Sequence, residues 1–230
     1  MKNPDQPKVT IRRATAEDSA ASGRICFDAF STINAAHGFP CDFPSAEVAT
    51  GLIAALFAHP GCYCVVAEED GWIIGSNCLD ERSVIKGVGP ITVDPGVQSK
   101  GVGKMLMREV MERAEAQGAA GIRLVQAAFH NRSLSLYEGL GFDVREPLAC
   151  LQGRTAQRSV AGCTARTATV DDVEVCNGVS RRVHGFDRGQ DWSSALSAER
   201  RRWWSARDGL RGMRPSWHSL AIQRRRRTWT

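Results

Sequence analysis

The sequence predicts an α/β domain in which a mixed sheet is flanked by helices, and two observations lead to that class. Between residues 8 and 153, two kinds of segment follow one another. In some, apolar and polar residues alternate as in a strand, and in others apolar residues have the spacing of an amphipathic helix. In the middle of this region a strand, a glycine-bearing turn and a helix adjoin. The predicted order of elements is β-α-α-β-β-β-α-β-α-β.

The first half of the domain begins with a strand over residues 9–13, where apolar and polar side chains alternate. Thr15 and Asp18 have the spacing of a capping box, which predicts that a helix begins there. A second helix is expected over residues 45–59. Two strands joined by a tight turn follow, at residues 62–67 and 72–76.

The second half continues with a strand over residues 89–93 and a helix from Val102 that ends near Gly118. A strand at 122–129, a short helix and a hairpin strand complete the pattern. Pro90 is awkward in a central strand because it cannot donate a ladder hydrogen bond. Either the sheet splits at this residue, or the strand simply begins at Ile91.

The turn before the Val102 helix has the features of an anion site. Backbone N–H groups at a helix N-terminus lack intrahelical partners and point at any bound anion. Gly101 and Gly103 carry no Cβ atoms that would hold a diphosphate away from that backbone. The turn is not a P-loop, because Lys104-Met105 replaces Lys-Ser/Thr, and Leu106 stands where a dinucleotide fingerprint needs its third glycine.

Two segments resemble the signatures of the GNAT N-acetyltransferases. The first is Gln98-Ser99-Lys100-Gly101-Val102-Gly103, which is similar to the acetyl-CoA loop of that family. The second contains Asn131, Tyr137 and Leu140-Gly141-Phe142 at the family's spacing. The resemblance implies a GNAT acyl-CoA N-acyltransferase fold, a splayed mixed sheet flanked by helices, over residues 1–153.

The resemblance also implies the chemistry. Acetyl-CoA is the expected cosubstrate, no metal is needed, and the amine of the acceptor attacks the acetyl carbon directly. Tyr137 stands at the position of the general acid that protonates the CoA thiolate. The implied cofactor-binding residues are Ile91, Val93, Gln98, Ser99, Lys100, Gly101, Val102, Gly103, Lys104 and Asn131.

Some of these roles have alternatives. Tyr137 could fill the core, and Asn131 could cap the short helix, a role that Ser133 could share. No glutamate stands between Lys86 and Val93, where many relatives place the general base. The nearest acids, Asp80 and Glu81, could equally be turn residues on the surface, and His130 could pack against the sheet.

The predicted function is N-acetylation of a primary amine on a small molecule or a peptide. The alternatives are a non-catalytic acyl-CoA-binding module and, with less support, a nucleic-acid-binding protein. Acceptor specificity would depend on the loop around residues 38–40, which carries no interpretable code. A homodimer is left open.

Composition favours a cytoplasmic protein. The polar N-terminus is not a signal peptide, and no apolar run approaches the roughly 20 residues that span a bilayer. The eight cysteines are scattered, which fits neither a zinc site nor a secreted disulfide framework.

An internal repeat follows the first domain. Residues 165–172 repeat residues 11–18, with Arg, Ala, Thr and Asp in the same places. We therefore expect a linker at 154–162 and the start of a truncated second GNAT-like domain at 163–196.

The tail, residues 197–230, is rich in arginine and tryptophan. Residues 199–230 contain ten arginines, no lysine and two acidic residues, so their net charge is +8. The net charge of the whole chain is +5. We expect no strand there and consider three explanations, which are binding of RNA or DNA, a disordered charged arm, and a shifted reading frame. The abrupt change of composition favours the last.

Overall fold

The computed structural model describes residues 9–150, 166, 168–197 and 217–225. The strands are β1 (Thr10–Arg13), β2 (Cys62–Glu69), β3 (Trp72–Asp80), β4 (Ile85–Val88), β5 (Thr92–Val93), β6 (Gly121–Ala127), β7 (Asp143–Cys150) and β8 (Trp217–Arg225). The α-helices are α1 (Ser19–Ala36), α2 (Ala46–Ala58), α3 (Val102–Ala116), α4 (Asn131–Glu138), α5 (Val173–His184) and α6 (Gly189–Ser197). Short 3-10 turns at Ala16–Asp18 and Val170–Asp172 lead into α1 and α5.

The described strands form one mixed sheet in the order β1-β2-β3-β4-β6-β8-β7, with β5 paired to β3. The β4–β6 pair is parallel, and the other pairs are antiparallel. This mixed sheet with flanking helices confirms the predicted fold class. The order of elements up to β7 also follows the prediction, apart from the strand around Pro90.

The sheet splits where β4 ends. β4 pairs with β6 only over residues 85–87, and β5 pairs instead with Gly75 and Ser76 of β3. Pro90 lies between β4 and β5 and belongs to neither strand. Only Thr92–Val93 of the strand predicted over residues 89–93 is a strand, and β4 precedes the predicted range. The proline marks the point where the sheet opens.

The main core lies between α3 and the sheet. Leu106, Met107, Val110 and Ala114 are fully buried on one face of α3, as an amphipathic helix predicted to begin at Val102 requires. On the other face of the sheet, α1 and α2 bury Cys26, Ala49 and Ile53, and the three strand cysteines 62, 64 and 78 pack nearby. Both faces of the sheet are thus covered, as an open sheet of this kind requires.

The capping box before α1 is formed as predicted. The Asp18 carboxylate accepts hydrogen bonds from the Thr15 backbone N–H (2.8 Å) and hydroxyl (3.0 Å). The Arg12 guanidinium donates to both Asp18 oxygens at 2.8 Å. These interactions, with the hydrogen bonds to Arg12 as the largest effect, lower the pKa of Asp18 to about 2.

The internal repeat has the same local structure. Asp172 accepts from the Thr169 N–H at 2.8 Å, and Arg166 donates to both carboxylate oxygens at 2.6 and 2.7 Å. A 3-10 turn and a helix follow in both copies. The two copies differ in burial, since the Asp18 side chain is 8% exposed and the Asp172 side chain 21%.

The helices α5 and α6 pack against each other, and α6 and the segment before it contact Arg123 of β6. Asp191 on α6 lies 3.6 Å from the Arg123 guanidinium of β6, and that guanidinium also lies over the Phe186 ring at 4.7 Å. The predicted linker, residues 154–162, lies outside the described residues.

The expected absence of a strand in the tail is wrong for residues 217–225. These residues form β8, which pairs with β6 on one side and β7 on the other. The sheet of the first domain therefore includes a strand that follows the internal repeat. The remainder of the predicted tail lies outside the described residues.

None of the helices in the described ranges combines the length and the apolar character needed to cross a membrane.

The buried copy of the repeated motif should stabilise the fold more than the exposed copy. We expect Asp18→Asn to lower the free energy of unfolding by about 1 to 2 kcal/mol at pH 7. Because the folded-state pKa lies below the unfolded value, this contribution should disappear as the pH falls from about 4 to 2. Asp172→Asn is the matched control and should change stability little. Urea denaturation at both pH values tests this, and equal losses for the two variants would contradict it.

Removal of β8 should weaken the domain, because β8 is the hydrogen-bonding neighbour of both β6 and β7. We expect a chain ending at residue 197 to unfold at a lower temperature than the full chain and to aggregate more readily. Thermal denaturation followed by circular dichroism measures the first effect and light scattering the second. An unchanged melting temperature would show that residues 217–225 contribute nothing to the sheet.

Candidate functional site

A cavity of about 720 Å³ opens at the split between β5 and β6. Its walls come from α1, the segment from Val88 to Val93, the turn before α3, the end of β6, and α4. All predicted site residues except Lys100 and Asn131 line this cavity, namely Ile91, Val93, Gln98, Ser99, Gly101, Val102, Gly103, Lys104 and Tyr137. The fold thus brings together nearly the whole set of residues that the two sequence signatures supplied.

The split is held open by a close backbone contact. A Cβ atom on Gly75 would lie 2.7 Å from the carbonyl oxygen of Thr92, so only glycine lets β5 approach β3 this closely. The Asp94 N–H also donates to the Ile74 carbonyl at 2.9 Å. β5 is therefore fixed to β3, and its other edge faces the cavity.

The turn before α3 presents backbone donors to the cavity. Gly101 is the N-cap of α3 and adopts a left-handed conformation with φ of 87°. The N–H groups of the first helical turn have no intrahelical acceptor, and the helix dipole adds to their positive potential. Nearby, the exposed Lys104 side chain adds a full positive charge.

Gln98 fixes the position of this turn. Its side-chain amide donates to the Val93 carbonyl at 2.9 Å, and its amide oxygen accepts a hydrogen bond from Arg132. The side chain therefore connects the turn to β5 and to α4.

Tyr137 lies on the cavity wall formed by α4 and is only 5% exposed. Burial raises the pKa of its hydroxyl to about 12, although a hydrogen bond with the Ser133 side chain acts in the opposite direction. Tyr137 also packs against Phe142, with 6.1 Å between ring centroids. It is thus a core residue and a cavity residue at the same time, and it is protonated at neutral pH.

His130 supports the tyrosine through Ser133. The His130 Nε2 atom lies 3.0 Å from the Ser133 hydroxyl, and Nδ1 accepts the Ser133 backbone N–H at 3.4 Å. His130 is therefore the N-cap of α4. The alternative role of Asn131 as the cap is wrong, because Asn131 is the exposed first residue of the helix. Burial, together with the Arg132 charge, lowers the pKa of His130 and favours the neutral imidazole.

The two acids considered as general bases lie elsewhere. Asp80 pairs with Arg82 at 2.5 Å, and Glu81 pairs with Arg113 at 2.7 Å. Neither carboxylate lines the cavity. Asp80 ends β3 and Glu81 follows it, and both are half-buried, ion-paired residues and not the surface turn residues of the alternative interpretation.

The opposite end of the cavity contains functional candidates that the sequence did not reveal. Asn34 of α1 is buried, and its amide nitrogen lies 3.5 Å from a carboxylate oxygen of Asp42. Gln126 of β6 is also buried, and neither polar atom of its side chain has a partner in the described part of the chain. Gln126 could have been suspected from sequence only because it is a polar residue at an inward-facing position of a strand. Asp42 could have been suspected only because it follows the 38–40 loop.

No group of three or more His, Cys, Asp or Glu side chains suited to a metal ion occurs among the described residues.

Comparison with known sequences identifies a family. Residues 31–142 match the family model described as Acetyltransferase (GNAT) family. The chain is 26% identical over 149 residues to the uncharacterized N-acetyltransferase YjgM of Escherichia coli, covering 62% of this chain and 87% of the relative. It is 34% identical over 65 residues to the ribosomal protein bS18-alanine N-acetyltransferase of Salmonella typhimurium, covering 28% of this chain and 41% of the relative.

Comparison with solved structures supports the same fold. The ribosomal-protein-alanine N-acetyltransferase of Brucella melitensis superposes with a TM-score of 0.56 at 15% identity, covering 94% of this chain and 99% of that one. The PaiA N-acetyltransferase of Thermoplasma acidophilum, solved with coenzyme A, gives a TM-score of 0.52 at 19% identity, covering 60% and 91%. At these identities the likeness shows the fold alone.

Proposed function

Because the chain carries an acetyltransferase domain of the GNAT family, as its two signatures predicted, we propose that it acetylates a primary amine from acetyl-CoA. The observation that carries this proposal is the cavity, which joins a backbone anion site at one end to a buried tyrosine on its wall. The acceptor is a small molecule or a peptide. No metal takes part in this chemistry.

The turn before α3 would hold the diphosphate of acetyl-CoA. The N–H groups of residues 101–104 supply hydrogen bonds at the positive end of the helix dipole, and Lys104 supplies charge. Lys100 and Asn131 do not line the cavity, so any contact they make with the cofactor would lie outside it.

The split sheet would hold the pantetheine arm. β4 stops pairing with β6 after Gly87, so the backbone from Ile91 to Val93 keeps an edge that faces the cavity. An extended amide chain can pair with such an edge in the manner of an added strand. A backbone N–H at this edge could also stabilise the negative charge that develops on the thioester oxygen.

Tyr137 would act as the general acid. The neutral amine attacks the acetyl carbon and forms the carbon–nitrogen bond, the carbon–sulfur bond breaks, and the departing thiolate takes the phenolic proton. The attacking nitrogen gives up one proton to solvent, and the tyrosinate regains one from solvent. The raised pKa of Tyr137 keeps that proton in place until the thiolate forms. The hydrogen bond with the Ser133 side chain lowers the pKa of Tyr137 and so partly offsets the effect of burial.

The second candidate is a module that binds acyl-CoA without catalysis, in which the same cavity holds the cofactor and no acceptor reacts. Acetyl-CoA consumption with a panel of primary amines separates the two functions. A peptide with an N-terminal alanine belongs in that panel, because a relative is named for acetylating an alanine of ribosomal protein bS18. We further propose a cytoplasmic location, which the free thiols of Cys26, Cys41, Cys62, Cys64, Cys78 and Cys176 support.

Tyr137→Phe should lower kcat by about 10²-fold, because the thiolate would lose its proton donor. The affinity for CoA should stay within about twofold, because the phenyl ring keeps the packing against Phe142. Thiol release measures kcat, and calorimetry measures binding.

Tyr63→Phe is the matched control for that variant. Tyr63 is the only other tyrosine in the chain, and its hydroxyl donates to Glu109 at 2.9 Å, away from the cavity. Its turnover should match that of the unmodified protein. If Tyr137→Phe lost CoA binding as well as turnover, the acid role would be wrong.

Gly101→Ala should weaken CoA binding by roughly tenfold, because a left-handed conformation costs alanine about 1 kcal/mol and the turn would relax away from its donor geometry. Gly118→Ala is the matched control. Gly118 follows the other end of α3, also adopts a left-handed conformation, and likewise has open space where an alanine Cβ atom would lie. That variant should lose similar stability and keep its CoA affinity. Equal affinities for both variants would place the diphosphate elsewhere.

A further inference from the structure

The two ends of the cavity carry opposite charge. Lys104 and Arg132 stand on the walls near the turn before α3, where the helix dipole is also positive. Asp42, in the connection between α1 and α2, is the only carboxylate among the described residues that line the cavity. An anionic cofactor is favoured at the first end and disfavoured at the second, so the second end is left for a ligand of the opposite charge.

Asp42 has no cationic partner within the described ranges. It forms no ion pair with any described residue, and its one hydrogen-bond donor there is the Asn34 amide at 3.5 Å. Asp42 as a whole is an exposed residue of the cavity wall. Its carboxylate is nevertheless partly desolvated by the surrounding protein, and this raises the pKa of Asp42. A partly desolvated carboxylate without a counterion is unfavourable, and a bound cation would relieve that cost.

Gln126 is a second and independent indication that a polar ligand enters. Its side chain is nine-tenths buried on the cavity wall, and neither its amide oxygen nor its amide nitrogen has a partner in the described ranges. Buried polar atoms that lack partners are rare in folded proteins, and they are satisfied when a ligand supplies the missing hydrogen bonds.

An aromatic stack holds the loop that carries Asp42. The Phe129 ring, after β6, stacks on Phe39 at 4.5 Å and on His37 at 4.9 Å between ring centroids. These contacts join the end of α1 to the end of β6, on two sides of the cavity. The carboxylate is therefore presented from a loop that is fixed at the cavity and not from a free surface segment.

We propose that Asp42 binds the acceptor in its ammonium form, so that the substrate class is an alkyl amine that is cationic at neutral pH. This inference rests on the proposed function and narrows it. The bound ammonium loses one proton to solvent at the cavity mouth before its nitrogen attacks the acetyl carbon. Aromatic amines, which are neutral at pH 7, lack the charge that Asp42 recognises.

The test compares a cation with a neutral molecule of the same shape. Binding of n-butylammonium and of 1-butanol to the CoA-loaded protein is followed by NMR titration at pH 7. We expect the unmodified protein to prefer the ammonium by about tenfold, the range of one partly desolvated ion pair. Asp42→Asn should abolish that preference and leave the affinity for CoA unchanged.

Asp28→Asn is the control for loss of a negative charge in the same region. Asp28 lies on α1, pairs with Arg24 at 2.9 Å, and does not line the cavity. This variant should keep the preference for the ammonium. An equal affinity for the two probes in the unmodified protein, or a preference that survives Asp42→Asn, would overturn the inference. Absence of CoA binding to the unmodified protein would instead refute the proposed function, so the two failures are distinct.

Discussion

The early end of the β4–β6 pairing is the constraint on which the functional architecture depends. If that parallel ladder continued past Gly87, β6 would occupy the edge that Ile91 and Val93 now turn to the cavity. The close approach of β5 to Gly75 keeps the two halves of the sheet apart. The space between them is large enough for an extended ligand, and α1 and α4 border it from either side.

Much of the proposed cofactor end could be predicted from sequence because its signals are local. The spacing of apolar residues placed α3 correctly, and the glycines at 101 and 103 placed the turn. The capping box at Thr15 and Asp18, and its copy at Thr169 and Asp172, are likewise short-range patterns that the structure reproduces. In each case the hydrogen bonds that define the feature join residues within one or two turns of chain.

The features that were missed depend on contacts between distant segments. Whether residues 217–225 form a strand depends on the free edges of β6 and β7, and not on any alternation within that arginine-rich segment. The proposed acceptor end is similar, since Asn34, Asp42 and Gln126 come from three separate parts of the chain. No spacing relates them, and only the packing of α1 over the split brings them to one cavity. The imidazole cap of α4 was missed for another reason, because histidine is not a residue that capping rules favour.

The insertion of β8 between β6 and β7 has a consequence for biosynthesis. β7 ends at Cys150, but its hydrogen-bonding neighbour begins at Trp217, after the whole internal repeat has been translated. A nascent chain leaving the ribosome would therefore expose two unsatisfied strand edges throughout that interval. Completion of the sheet therefore waits for a long-range strand pairing, which forms more slowly than the local helices.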